Sequence, residues 1–156
     1  ESYELPDFED YSMKHRTYRF QVDDILYPFG FGLSYSDFKQ SDAQAEFQDG
    51  VLSIETTVEN TGDMAGNEIV QVYVHAPEFD TPYPQLRGIQ TVQLEAGEAK
   101  QVTLDIPQKE LVVFDDEGKE QLVSGQYDVY VGFSGPDARS VELMGQRPEK
   151  FELSID

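Results

Sequence analysis

Asp23-Asp24, Glu9-Asp10 and Asp115-Asp116-Glu117 are the places where this chain could carry acid–base chemistry. Two carboxyl groups held about 5 to 9 Å apart can divide proton donation and nucleophilic or base attack in the hydrolysis of a glycosidic bond. Residues adjacent on an extended chain point to opposite faces, so such neighbours do not converge on one atom. With 31 acidic residues in 156, clusters of this kind arise by chance, and the three are read as solvated turns. His15 and His75 stand far apart in a chain without cysteine. A metal site needs three or four convergent ligands, so both histidines are read as surface or packing residues. No G-x-S-x-G elbow, phosphate loop or dinucleotide fingerprint occurs, and Gly30-Phe31-Gly32 lacks the following glycine. The expectation is no catalytic residue, no metal and no cofactor in this chain.

Two other groups could recognise rather than react. Arg16, Tyr18 and Arg19 combine planar donors with a ring, a set suited to docking on carboxylates of another surface. The loop Phe79-Asp80-Thr81-Pro82-Tyr83-Pro84 is stiffened by proline, and its rings Phe79 and Tyr83 are candidates for a sugar platform. The plainer reading of that loop is ordinary packing.

The elements that must position these groups divide the chain unequally. Ten of the nineteen Phe and Tyr residues lie between Tyr3 and Phe38, including the stretch Tyr27-Pro28-Phe29-Gly30-Phe31-Gly32-Leu33-Ser34-Tyr35. This part has neither the period of a helix nor the alternation of a strand. Rings without a periodic face must be buried against something else. Residues 1–37 are therefore read as an extended, irregular arm that packs on domains absent from this chain. For the part after Tyr27, folding back on the chain's own domain stays open as the alternative.

From Phe38 the pattern changes to period two. Leu52, Ile54, Thr56 and Val58 alternate with polar residues, as do Val70, Val72 and Val74, then Val102, Leu104 and Ile106. Tyr127, Val129, Val131 and Phe133 form another set, and Phe151, Leu153 and Ile155 a last one. Further strands are expected at Phe38 to Phe47, Ile89 to Leu94 and Glu110 to Phe114. Asp49-Gly50, Thr61-Gly62-Asp63, Ala96-Gly97-Glu98, Glu117-Gly118-Lys119 and Ser124-Gly125 mark turns between them. The fold class expected for 38–156 is all-β, an antiparallel immunoglobulin- or fibronectin III-like sandwich of about seven strands. Tyr127, opening a strand after a turn, is a candidate tyrosine corner. No helix is expected.

The formal net charge is −20. Such a chain repels phosphate backbones and anionic membranes, which excludes nucleic acid and membrane as expected partners. No twelve-residue calcium loop accompanies the acidity. No apolar run reaches the roughly 20 residues that span a bilayer, and no signal peptide is visible at the start. Secreted, periplasmic and cytoplasmic locations all remain open.

Several ordered motifs resemble one family. Arg16-Thr17-Tyr18-Arg19-Phe20 followed by Tyr27-Pro28-Phe29-Gly30-Phe31-Gly32-Leu33-Ser34-Tyr35 looks like the junction before the C-terminal fibronectin type III-like domain of family 3 glycoside hydrolases. His15 stands where that family usually has glycine. Asn60-Thr61-Gly62, then Gly66-Asn67-Glu68-Ile69-Val70-Gln71-Val72-Tyr73-Val74, resembles its next motif. Leu86-Arg87-Gly88 and Gly125-Gln126-Tyr127-Asp128-Val129-Tyr130-Val131-Gly132 resemble two more. The resemblance implies a non-catalytic C-terminal domain of a retaining β-glucosidase or β-xylosidase. In that family the nucleophile and the acid/base residue lie in upstream domains. The implied partners are the catalytic domains of the same parent enzyme, with Arg16, Tyr18 and Arg19 at the docking surface or the active-site rim. Two alternatives are a sandwich module that binds carbohydrate or a cell-surface polymer through exposed rings, and an interaction domain borrowed into another context.

Overall fold

The structure, a computed structural model, describes residues 36–77, 83–114, 120–121 and 123–155. Two antiparallel sheets face each other. One holds β1 (Phe38–Gln48), β2 (Val51–Asn60) and β5 (Ala99–Pro107) in the order β1-β2-β5. The other holds β3 (Gly66–His75), β4 (Gln85–Leu94), β8 (Gly125–Gly132) and β9 (Glu149–Ile155) in the order β4-β3-β8-β9. A two-residue ladder joins β6 (Val113–Phe114) to β7 (Glu120–Gln121). The seven main strands and their antiparallel pairing agree with the expected sandwich.

Alternation in the sequence becomes the two faces of each strand. Leu52, Ile54 and Val58 of β2 meet Val70, Val72 and Val74 of β3 across the gap, with Val102, Leu104 and Ile106 of β5 and Val129 and Val131 of β8 completing one cluster. Each such side chain, once buried, contributes about 1.5–3 kcal/mol. The sheets approach closely at Gly88, where a Cβ would stand 2.9 Å from Ile106 Cδ1. Gln40 of β1 is buried and donates from Nε2 to the Val131 carbonyl at 3.2 Å, a polar tie from one sheet to the other.

The turns follow their chemistry. Asp49 (φ 50) and Gly50 (φ 76) make the two-residue link between β1 and β2. Two successive positive φ values define the hairpin turn that favours Asp-Gly. β1 runs one residue beyond its expected end and carries a bulge between Ser41 and Gln44, with Asp42 at φ 53.

Three expectations need correction. β4 starts at Gln85, not Ile89, because Leu86 and Gln85 pair with Tyr73 and Val74. The strand expected at Glu110 to Phe114 is a 3-10 turn at Gln108–Glu110 followed by only Val113–Phe114 as strand. The β5 ladder ends with Pro107 opposite Val51, and the backbone then turns, Leu111 N–H bonding back to the Gln108 carbonyl at 2.9 Å. Finally a helix is present, α1 (Ala138–Met144). Seven residues are too few to show an amphipathic period, but the ends are encoded. Asp137 caps it by accepting from Ser140 N–H, and Gly145 (φ 65) closes it in the left-handed conformation.

Candidate functional site

Arg16, Tyr18, Arg19, His15, Asp23-Asp24, Glu9-Asp10 and Asp115-Asp116-Glu117 lie outside the described residues, as does Phe79. Tyr83 is described. It is half-buried, two positions before β4 begins. Its platform partner Phe79 is not among the described residues. No Phe or Tyr whose exposure is described is exposed; among the described residues the exposed large apolar side chains are Met64, Ile69 and Ile89.

Asp128 on β8 receives Lys150 of β9 at 3.0 Å, and the same ammonium donates to Glu152 at 3.0 Å. Those two carboxylates push the Lys150 pKa up. His75 Nδ1 stands 3.9 Å from Asp128 Oδ2. Burial, then the nearby Asp128, pushes the Tyr130 phenol up. This is an ion cluster on the outside of a sheet, and such clusters contribute little to stability. Among the described residues no three of His, Cys, Asp or Glu are grouped to hold a metal ion, and no helix is long and apolar enough to cross a membrane.

Two polar nodes stand out, one at each end of the sandwich. At one end Asn60 is fully buried. Its Oδ1 accepts from Ser36 Oγ at 2.7 Å and from Gly62 N–H at 3.0 Å. Its Nδ2 donates to the carbonyls of Met64 at 2.8 Å and Leu94 at 3.3 Å. The Asp37 carbonyl accepts from Thr61 N–H at 2.8 Å. Gly62 and Gly66 make room here, since a Cβ on Gly62 would overlap Ser36 Oγ and one on Gly66 would press on the Phe38 ring at 3.1 Å. The residues that lead into β1 are thus held in a fixed direction by the turn 61–65.

At the other end Arg87 sits in the β3–β4 bulge, between the pairs Val72–Gly88 and Tyr73–Leu86. Its Nη2 donates to Gln85 Oε1 and to the Val112 carbonyl, both at 2.6 Å. It therefore ties the start of β4 to the connection after β5. Close by, Tyr127 donates its hydroxyl proton to the Val123 carbonyl at 2.7 Å, four residues upstream. This is the tyrosine corner expected from the sequence. Burial pushes the Tyr127 phenol up, against the lowering effects of that bond and of Arg87.

Asn60 and Arg87 carry the geometry of both ends, and reading the sequence for chemistry did not single them out. The signal was present in Asn60-Thr61-Gly62 and Leu86-Arg87-Gly88. In each, a polar side chain stands within two residues of a glycine that lets another part of the chain approach closely.

The sandwich, its strand order and its tyrosine corner define a fibronectin type III-like domain. Residues 68–135 match the family model described as "Fibronectin type III-like domain". It is 38% identical over 138 residues to a xylan 1,4-beta-xylosidase of Xylanibacter ruminicola, covering 86% of this chain and 16% of that protein. It is 36% identical over 139 residues to a beta-glucosidase of Kluyveromyces marxianus, with 86% of this chain and 16% of that protein covered. The solved beta-glucosidase 3B of Thermotoga neapolitana in complex with α-D-glucose superposes with a TM-score of 0.70 at 34% identity, over 83% of this chain and 17% of that one. The chain thus spans about a sixth of the length of the relatives it matches.

Proposed function

We propose that this chain is the non-catalytic C-terminal domain, with its preceding linker, of a retaining β-glycosidase of the family 3 type. The parent enzyme hydrolyses terminal β-linked glucose or xylose, and this domain docks on its catalytic domains and stabilises them. One observation carries the reading. Relatives named beta-glucosidase or beta-xylosidase are matched over most of this chain but over only 16–19% of their own length. The rest of each relative is left to hold the chemistry. The described residues support this. Their carboxylates are solvated, in ion pairs, or turned to backbone N–H groups as in Glu98 accepting from Glu95. The carbohydrate-binding alternative needs rings displayed on a face, and the rings whose exposure is described are buried or half-buried. Arg16, Tyr18 and Arg19 are assigned to the docking surface on the catalytic domains.

The isolated chain tests the non-catalytic part. Incubated with aryl β-glucoside and aryl β-xyloside, it is expected to release no phenol. Turnover that follows the protein through purification, and vanishes on substitution of a single Asp or Glu, would overturn the assignment.

A further inference from the structure

Among the described residues the two sheets of the sandwich end in four edge strands, β1, β5, β4 and β9, and three of these are guarded. An edge strand turns part of its backbone N–H and C=O groups away from its own sheet, and natural sheets protect such edges with charge, proline or a bulge. β1 has its bulge between Ser41 and Gln44, with Lys39, Asp42 and Glu46 along the strand. β5 carries Lys100 and Asp105 and stops at Pro107. β9 carries Glu149, Lys150 and Glu152.

β4 differs. Among the described residues it pairs with β3 on one side and with no strand on the other. Its one charged residue is Arg87, in the bulge at its start, where the bonds to Gln85 and Val112 hold the guanidinium. The run Gly88-Ile89-Gln90-Thr91-Val92-Gln93-Leu94 then has no charge and no proline. Ile89, Thr91 and Val92 are β-branched, the type that suits a strand. Ile89 is 63% exposed, and Gln90, Thr91 and Gln93 are exposed as well. In a chain of net charge −20, two copies repel each other wherever their carboxylates meet. The β4 strand presents no carboxylate.

We propose that this edge pairs with the same edge of a second copy, antiparallel about a two-fold axis at Thr91, so that one four-stranded sheet continues into the other. The flanking charges favour this occupant. Arg87 stands four residues before Thr91 and Glu95 four after it. The two-fold therefore sets each Arg87 level with Glu95 of the other copy. Opposite charges facing each other across two strands stabilise the pair, and like charges directly opposite weaken it. The same operation on β9 about its middle residue, Glu152, would set that carboxylate against itself. A two-fold contact of this kind is self-complementary, and backbone hydrogen bonds supply its affinity without a pocket. The inference is independent of what the parent enzyme hydrolyses, and its failure leaves the docking on catalytic domains untouched.

Thr91 of β4 and Thr103 of β5 are both exposed and serve as a matched pair. The unsubstituted chain, in salt sufficient to screen its net charge, is sedimented over a range of concentrations. Its mass is expected to pass from one chain to two. Thr91→Asp sets two carboxylates against each other on the axis and should weaken the association about tenfold or more. Thr103→Asp adds the same charge at another edge and should change it less than about threefold. Thermal midpoints of the two variants report folding separately. The absence of cysteine allows a second measurement. Side chains directly opposite on antiparallel strands stand with Cβ atoms about 4.5–5.5 Å apart, and a disulfide spans about 3.5–4.5 Å. Under oxidised glutathione Thr91→Cys should thus link two copies, and Thr103→Cys should do so far more slowly. A single-chain mass at every concentration, equal weakening by the two Asp variants, or equal linking by the two cysteines would overturn the proposal. So would a monomeric chain whose Thr91→Asp substitution lowers the heat resistance of the whole parent enzyme, which would give the edge to the catalytic domains.

Discussion

Ser36 Oγ donates to Asn60 Oδ1 at 2.7 Å, and through this bond the entry of the chain into β1 is fixed by the end of β2. Asn60 uses all of its amide, with two acceptor and two donor bonds in a fully buried site. Together with the Thr61 N–H bond to the Asp37 carbonyl, it fixes the direction in which Ser36 and Asp37 enter β1.

Asn60→Ala should therefore be costly. It strands the Met64 and Leu94 carbonyls and the Gly62 N–H, and each buried unsatisfied group costs about 1–3 kcal/mol. The expected loss is about 3 kcal/mol, read from the urea midpoint at unchanged slope. A loss within the error of the method would show that water replaces the amide without penalty.

Gly88 tests the closeness of the sheets. Gly88→Ala places a methyl 2.9 Å from Ile106 Cδ1 and 3.4 Å from Leu104 Cδ2. Overpacking of this kind costs about 1–3 kcal/mol. Ile106→Val removes the atom in the way, so the double variant should recover at least half of the loss of Gly88→Ala. A thermodynamic cycle with no coupling between the two positions would contradict the contact.

Tyr127 gives the fold a pH dependence at its alkaline end. Burial holds its folded pKa above the ordinary 10.0. A group whose folded pKa is raised contributes stability fully present below the unfolded value and lost as pH rises through the folded one. The midpoint of thermal unfolding should thus fall above about pH 10, and fall less steeply in Tyr127→Phe. At neutral pH that same variant should be less stable by about 1–2 kcal/mol, since the Val123 carbonyl loses its donor. Identical alkaline slopes in the two proteins would move the effect to other groups.

Much of this architecture was legible because period two is a direct image of a half-buried strand. Leu52-Ile54-Val58 and Val70-Val72-Val74 announced both β2 and β3 and the faces they bury. Tyr127 was legible as a corner because the residue type, the preceding turn and the strand that follows all agree. What stayed hidden depended on pairing across the chain. Gln85 joins β4 only because Val74 lies beside it, and no local pattern says so. Asn60 looked like a turn residue, which it is, but its four bonds reach Ser36 and Leu94, 24 and 34 positions away. Tyr73 looked like a polar-face residue of β3, yet it is buried.

The central claim is that this domain stabilises catalytic domains it does not help chemically. The direct measurement is the rate of heat inactivation of the whole parent enzyme, with and without residues 36–156, alongside kcat/KM on an aryl β-glycoside at low temperature. The account predicts inactivation at least tenfold faster without the domain, with kcat/KM of the still-folded fraction changed less than threefold. Unchanged heat resistance, or a loss of kcat by orders of magnitude in enzyme that remains folded, would contradict it.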